Sequence, residues 1–274
     1  MADLKITQLT ENTAPLGTDL LANVKDPSGT PVTDKVTIAN VLSVAHDGWK
    51  LAGTFTYSSA DAPTYVVTVA SGAASIYNVG DRIKLTDSGV KYFIITAVAD
   101  TSLTLYGGTD YALTGGAITL PYYSHQKGPL GFPLSPVKWT QSFYDNTARP
   151  VSTPTNGTWY NLSGGSLTIP IGSWDLEHSA TIYGFNNATP KGFSISITLS
   201  TANNSESDTN FSGTAYTSYA ASSYNSFGIN KRKHVLLASK TVYYSNMLTN
   251  SANVTEIGTN GSDAHYIRAV CAYL

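Results

Sequence analysis

The strongest constraint on this chain is its pattern of short runs rich in β-branched and aromatic residues, each ended by a turn signal. Residues 92–98 (YFIITAV) and 193–199 (FSISITL) are two such runs. The 274 residues include 23 Gly and 12 Pro. β-Branched and aromatic side chains suit the pleated surface of a sheet, whereas Gly and Pro end strands and form turns. We therefore predict an all-β protein.

Charge and composition exclude several classes of protein. Charged residues make up 12% of the chain, about half the usual ~25%. The net charge is -2 and the isoelectric point is near 6.2, so we expect no binding to nucleic acid or to an acidic membrane surface. The single cysteine, Cys271, excludes an internal disulfide framework. No motif for a cofactor is present, and we expect none.

The N-terminus gives no signal for export. The opening MADLK lacks a basic and then apolar signal segment, and no run of 18 apolar residues occurs in the sequence. We therefore expect a chain that is made in a cytosol, is not exported by a classical route and is not inserted into a membrane.

Residues 1–45 have the pattern of a β-hairpin without a core of its own. Residues 19–24 and 33–38 are predicted strands, 26–31 (DPSGTP) is a turn, and 39–42 is one helical turn. A single hairpin is marginal in water. It must therefore dock, either on its own trimer mates or on another protein. The candidate docking residues are Leu20, Val24, Val36 and Ile38.

Residues 46–124 are predicted to form a small β-barrel or sandwich. The predicted strands are 64–70, 82–86, 92–98 and 102–106, separated by turns at 78–81, 87–89 and 100–101. Residues 92–95 (YFII) are apolar on both faces, which indicates a central strand.

Residues 125–138 (HQKGPLGFPLSPVK) are predicted to be a semi-rigid linker, because they contain three prolines and two glycines. Residues 139–274 then form a second all-β region, which we predict to be a jelly-roll-like sandwich. Its predicted strands are 159–162, 166–171, 179–185, 193–199, 234–238 and 265–273. In the last of these strands, Ile267, Ala269 and Cys271 share one face.

The first half of the chain resembles the fibre proteins of tailed bacteriophages. The matching stretches are 5–9 (KITQL), 19–21 (DLL), 26–31 (DPSGTP), 35–42 (KVTIANVL), 79–85 (VGDRIKL), 90–96 (VKYFIIT), 107–111 (GGTDY) and 131–133 (GFP). In the second half, 172–176 (GSWDL) within a Tyr/Thr/Ser-rich region is similar to the trimeric heads, of tumour-necrosis-factor-like or C1q-like fold, that end many phage fibres.

This resemblance implies a virion component assembled as a homotrimer. It implies that the first 45 residues dock on other virion proteins of the capsid or the tail, while the C-terminal head contacts the host surface, in particular a glycan. Two alternatives stay open: a capsid decoration or head fibre protein without a receptor role, and a glycan-cleaving fibre.

The sequence favours a protein without catalytic activity. Phosphate-binding glycine loops, His-Glu-x-x-His, nucleophile elbows and paired cysteines are all missing, and the five histidines are scattered singly, so we predict neither an active site nor a metal site. Asp175 and Glu177 lie two residues apart on one strand face and are the nearest approach to a glycosidase pair. An ordinary pair of solvated acids explains them more simply.

Two segments are candidates for host contact. Residues 216–227 (YTSYAASSYNSF) combine aromatic side chains with Ser and Asn, which is a composition typical of recognition loops. The candidates there are Tyr216, Tyr219, Tyr224 and Phe227; half-buried strands with alternating tyrosines explain the pattern equally well. Lys231, Arg232 and Lys233 form the one basic cluster of the sequence. Such a cluster is suited to binding phosphate or an acidic sugar. The simpler interpretation is a solvated loop that leads into a strand.

Overall fold

A computed structural model describes residues 20–25, 32–37, 47–186, 192–217, 223–261 and 265–274. These residues form an all-β structure of several antiparallel sheets, as the sequence predicted. The described part contains no α-helix, and its helical turns are short 3₁₀ segments at Ala73–Ser75, Pro136–Trp139 and Thr209–Phe211. None of its helices could span a membrane.

The N-terminal hairpin is present. Strands β1 (Leu20–Lys25) and β2 (Val32–Thr37) pair antiparallel, with Leu20 opposite Thr37 and Lys25 opposite Val32. They form a two-stranded sheet that is hydrogen-bonded to no other described strand. Of the docking candidates, Leu20 and Val24 lie on β1 and Val36 lies on β2. Ile38 and the predicted helical turn at 39–42 lie outside the described residues.

The first large unit is one seven-stranded sheet in the spatial order β3-β9-β6-β7-β8-β5-β4. Its strands are β3 (Lys50–Leu51), β4 (Thr56–Asp61), β5 (Thr64–Thr68), β6 (Arg82–Thr86), β7 (Val90–Ala99), β8 (Ser102–Tyr106) and β9 (Thr119–Ser124). The sheet is open rather than a closed barrel, because its outermost strands β3 and β4 do not pair with each other. A barrel, one of the two predicted architectures, is therefore not formed.

Strand β7 is central, as its two-sided apolar pattern predicted. Successive side chains of a strand point to opposite faces. Phe93 and Ile95 therefore pack into the core of this sheet with Leu103 and Leu105. Ile94, on the opposite face, belongs to a different core that it shares with the second half of the chain.

The second large unit is a sandwich of two sheets. Strands β10 (Thr140–Asp145), β11 (Arg149–Ser152), β13 (Gly172–Asn186), β16 (Ser223–Leu237), β18 (Val254–Thr259) and β19 (His265–Cys271) form the six-stranded sheet. Strands β12 (Tyr160–Ile169), β14 (Phe193–Ser200), β15 (Gly213–Thr217) and β17 (Thr241–Thr249) form the four-stranded sheet. Ile182 of β13, Ile197 of β14 and Met247 of β17 are fully buried between the two sheets.

Strand β13 organises the six-stranded sheet. On one side it pairs with β16 along its whole length, from Gly172 opposite Leu237 to Asn186 opposite Ser223, without a register shift. On its other side it pairs with β19 and then with β18. Among the described strands, β16 pairs with β13 alone, so it is an edge strand.

The Pro/Gly segment 125–138 is packed between the two units. Phe132 stacks on Trp139 with ring centroids 5.2 Å apart, and the Trp139 indole N–H donates to the Pro133 carbonyl at 2.7 Å. The Trp49 indole N–H donates to the Leu130 carbonyl. These rings belong to one core that also contains Trp174, so the segment contributes to a shared core and does not merely space two domains.

Arg82 ties the end of the chain to the first unit. Its side chain is fully buried, and Nη2 donates to the Tyr273 carbonyl at 2.8 Å while Nε donates to the Lys127 carbonyl at 3.0 Å. Lys127 Nζ in turn donates to the Leu274 oxygen. The boundaries at 45, 124 and 138 stay predictions, but this packing leads us to expect the two large units to unfold together.

Candidate functional site

The outer face of the six-stranded sheet carries a cluster of charged groups that includes Asp175, Glu177, Arg232 and Arg268. Along β13, Trp174, Leu176 and His178 point into the sandwich, whereas Asp175 and Glu177 point outward. Directly opposite Glu177 in the ladder lie Arg232 on β16 and Arg268 on β19. The spacing of the strands thus places one carboxylate between two guanidinium groups.

Glu177 accepts four hydrogen bonds. Its Oε1 accepts from Arg232 Nη2 at 2.8 Å, from Tyr266 Oη at 2.8 Å and from Asn230 Nδ2 at 3.1 Å, and its Oε2 accepts from Arg268 Nη2 at 2.5 Å. Burial by itself would raise the pKa of Glu177. The hydrogen bonds from Asn230, Tyr266 and Arg232 and the charge of Arg268 outweigh burial and lower this pKa to about 2.

This environment argues against an acid role for Glu177. The general acid of a glycosidase pair needs a raised pKa so that it carries a proton at the pH of the reaction. Glu177 is held ionised instead, and its lone pairs are occupied by neighbouring donors. The carboxylate therefore serves to fix the positions of the two arginines.

Asp175 belongs to a second set of hydrogen-bonded side chains on the same face. Asp175 Oδ1 lies 2.9 Å from His234 Nδ1, and His234 Nε2 lies 3.0 Å from Ser173 Oγ. The order of these groups is that of the serine hydrolase triad. Here, however, the serine lies in a continuous β-ladder opposite Leu236, where backbone N–H groups are used by strand pairing, whereas a triad needs free donors for an oxyanion.

Two shallow depressions lie side by side on this face. The first, of about 390 Å³, is lined by Asp175, Leu176, Glu177, Arg232, Lys233, His234, Arg268 and Val270. The second, of about 370 Å³, is lined by Ser142, Phe143, Tyr144, Tyr266 and Arg268. Arg268 lines both, so we treat them as one outer-face groove that crosses β16, β13, β19 and β10. Ser173 lines neither depression, although its neighbour His234 lines the first.

The aromatic residues predicted for host contact do not form one loop platform. Tyr216 lies on β15 of the four-stranded sheet and is 76% exposed. Phe227 lies on β16 of the other sheet and packs against the core that contains Ile182. Tyr224 also lies on β16, opposite Phe185, and Tyr219 lies outside the described residues. The alternative interpretation, that these tyrosines belong to strands, fits better, because β15 ends at Thr217 and β16 begins at Ser223.

The predicted basic cluster is divided between two faces of β16. Arg232 points outward to Glu177, whereas Lys233 forms an ion pair with Asp208 and its Nζ lies 5.4 Å from the centre of the Phe211 ring. Lys231, two residues from Lys233, lies on the same face as Lys233. The three residues are part of a regular strand, so the interpretation as a solvated loop is wrong. Because side chains alternate along a strand, Arg232 lies on one face and the two lysines lie on the other.

A second polar cluster is buried inside the sandwich. His178 Nε2 and His265 Nε2 each lie 2.9 Å from Ser245 Oγ. Burial, together with the neighbouring His265, lowers the pKa of His178 to about 3; burial also lowers the pKa of His265 to about 4, against the opposing effect of Asp145. No group of three or more potential metal ligands occurs among the residues that the structure describes.

No protein-family model and no curated protein matches this chain. Among solved structures, it has a partial likeness to the T13 particle of infectious bursal disease virus (11% identity, TM-score 0.31) and to the VP2 subviral particle of that virus (8%, 0.30). A third likeness is to the Gx strain of the virus (11%, 0.33). The matches cover 93%, 82% and 91% of this chain and 67%, 73% and 64% of those chains. At these TM-scores the likeness carries no argument about function.

Proposed function

We propose that the chain is a structural fibre or spike subunit of a tailed-bacteriophage virion. The observation that supports this proposal best is the β1–β2 hairpin, which forms a sheet of its own apart from the other described strands. Two strands bury too little surface to be stable alone. A docking role, with Leu20, Val24, Val36 and Ile38 as candidate contacts on capsid or tail proteins, explains why such an element precedes a body that has its own core.

The proposal includes assembly as a homotrimer. Leu130, Leu134 and Val137 are large apolar residues that stay exposed within the Pro/Gly segment of the described chain. Neighbouring copies that meet at this segment would cover these side chains. Light scattering of the purified chain should give the mass of three chains, and a monomer at micromolar concentration would contradict the assembly.

The head is proposed to bind the host surface and not to cleave it. The ionised state of Glu177 and the position of Ser173 outside the groove both support a role without catalysis. A fluorophosphonate probe should therefore leave the protein unlabelled. Labelling that disappears in Ser173→Ala would instead identify a serine hydrolase.

The decisive experiment deletes residues 1–45. We expect the truncated chain to stay folded and trimeric but to be missing from particles, as measured by immunogold electron microscopy with an antibody against residues 139–274. Normal incorporation of the truncated chain would contradict the docking role. The truncated trimer should also compete with particles for adsorption to cells; failure to compete would favour a capsid decoration protein without a receptor.

A further inference from the structure

We propose that the outer-face groove binds a neutral, polyhydroxylated glycan chain, with a sugar ring stacked on Tyr144 and its hydroxyls hydrogen-bonded by Arg268, Arg232 and Asp175. This inference rests on the proposed function, because it names the ligand class of the host-binding head. It also moves the predicted contact away from residues 216–227 to a face of the sheet.

The balance of charge in the groove favours a neutral ligand. Arg232 and Arg268 are offset by Glu177 and Asp175, and Lys233, which also lines the groove, directs its ammonium to the other face of β16, where it is paired with Asp208. A polyanion would therefore meet little net positive potential here. A sugar hydroxyl both donates and accepts hydrogen bonds, so it matches a surface on which guanidinium donors and carboxylate acceptors alternate.

The polar groups of the groove are held in place before a ligand arrives. Glu177 engages Nη2 of each arginine, and the hydrogen bonds described leave the Nε and Nη1 donors of both guanidinium groups for a ligand. The side chains of Arg232 and Arg268 are 72% and 49% exposed. Fixing two long side chains in advance lowers the entropy cost of binding.

The aromatic surface lies at the β10 end of the groove. Tyr144 is 64% exposed and stands opposite Tyr266 in the ladder of β10 and β19, two pairs away from Ser142 and Arg268 and on the same face of the sheet. An exposed tyrosine offers a rigid apolar ring with a polar tip. The groove crosses four strands, roughly 14 Å at about 4.8 Å per interstrand spacing, and so suits a chain of sugars better than one small molecule.

The test uses the full-length protein and hexasaccharide probes. Saturation-transfer difference NMR is measured with the neutral hexamers of maltose, cellulose and chitin type and with the acidic hexamer of galacturonate. We expect transfer to at least one neutral hexamer, and binding that changes less than about twofold between low and high salt. No transfer to any neutral hexamer, or salt-sensitive binding of the acidic hexamer alone, overturns the inference.

Substitutions then locate the site. Tyr144→Ala should weaken binding of that hexamer by about tenfold, whereas Tyr144→Phe should retain it because the ring remains. Tyr216→Ala is the matched control, since Tyr216 is also largely exposed but lies on the other sheet. Unchanged binding in Tyr144→Ala, with an unchanged circular dichroism spectrum, overturns the location. If the full-length protein binds no neutral hexamer while deletion of residues 1–45 abolishes incorporation into particles, this inference is rejected and the fibre proposal stands.

Discussion

At the scale of single residues, the buried His178–Ser245–His265 cluster has a defined protonation pattern. Ser245 has one hydroxyl proton, so it can donate to only one of the two Nε2 atoms and must accept from the other. The two imidazoles are therefore different neutral tautomers. Their Nδ1 atoms are buried without a protein partner in the described structure. A second proton, which would make either ring cationic, therefore has no acceptor at Nδ1.

This cluster predicts a loss of stability in mild acid. Both pKa values lie below the ordinary ~6.5 of histidine, so the unfolded chain binds more protons than the folded one as pH falls below about 6.5. The free energy of unfolding should drop between about pH 6.5 and pH 4.5, by up to ~1.4 kcal/mol per pH unit for each histidine. Urea midpoints measured across this range check the prediction.

The neighbouring carboxylates do not obscure this window. Asp145 and Glu177 have folded pKa values of about 2, below their unfolded values, so the stability they contribute is lost only below about pH 4.5. In the control His234→Gln, which alters an exposed histidine, the same acid dependence should remain. A free energy of unfolding that is constant from about pH 6.5 to 4.5 would show that the two buried histidines are protonated in the folded state.

Sequence reasoning located part of the outer-face groove. It placed Asp175 and Glu177 on one strand face, which the structure confirms. It missed the two arginines as their partners, because Arg268 lies about ninety positions along the chain and Arg232 was assigned to a loop. Pairing across strands depends on register, and register is a tertiary property that one strand's pattern does not contain.

At the scale of elements, strands with dense apolar runs were predicted closely. The predicted strands 82–86 and 102–106 agree with β6 and β8 at both ends. Those missed, such as β17 (TVYYSNMLT) and β18 (VTEIGT), contain Thr among their apolar residues, and in β17 also Ser and Asn; their burial comes from neighbouring strands. Predicted strands 159–162 and 166–171 correspond to one strand, β12, whose pairing with β17 is irregular between Asn161 and Ser166.

The turn after β8 contains a closely packed glycine, from which we derive a further prediction. Gly108 has φ +64, and a Cβ there would lie 2.1 Å from the Lys138 carbonyl oxygen. Gly108→Ala should therefore destabilise the protein by roughly 3 kcal/mol, from the left-handed backbone together with the clash. Gly53→Ala is the matched control, because nothing lies within 4 Å of its Cβ position. Equal melting temperatures for the two variants would contradict the close packing of this turn.

At the scale of the whole molecule, the shared core changes what we expect of the two units. A Pro/Gly-rich composition indicates a spacer when it is considered alone, because composition does not reveal that Phe132 and Trp139 are buried. Tyr106 of the first unit packs edge-on against Trp174 of the second, with centroids 5.0 Å apart. The all-β class and the presence of two successive β-rich regions could be predicted from the sequence. The hydrophobic core that the two regions share could not.

We therefore predict one cooperative unfolding transition for residues 47–274. Differential scanning calorimetry should give a single peak, and Arg82→Met should shift the whole peak to lower temperature, since it leaves the carbonyls of Gly80, Lys127 and Tyr273 without their donor. The surface ion pair of Lys240 and Asp61 provides a control, because Lys240→Met should shift the peak little. Two separate peaks would support independent domains.

The free edge of β16 has a consequence for how the protein behaves at high concentration. Fifteen residues in unbroken register present a straight row of backbone donors and acceptors, which is a template for another chain to add to. Lys231, Arg232 and Lys233 lie in the middle of this row, and such long charged side chains on an edge strand oppose the addition of another copy. A Lys231→Thr/Lys233→Thr variant should form thioflavin-positive aggregates that the exposed control Lys50→Thr does not form. On this view the basic residues that resemble a binding motif protect this edge of the sheet from polymerisation.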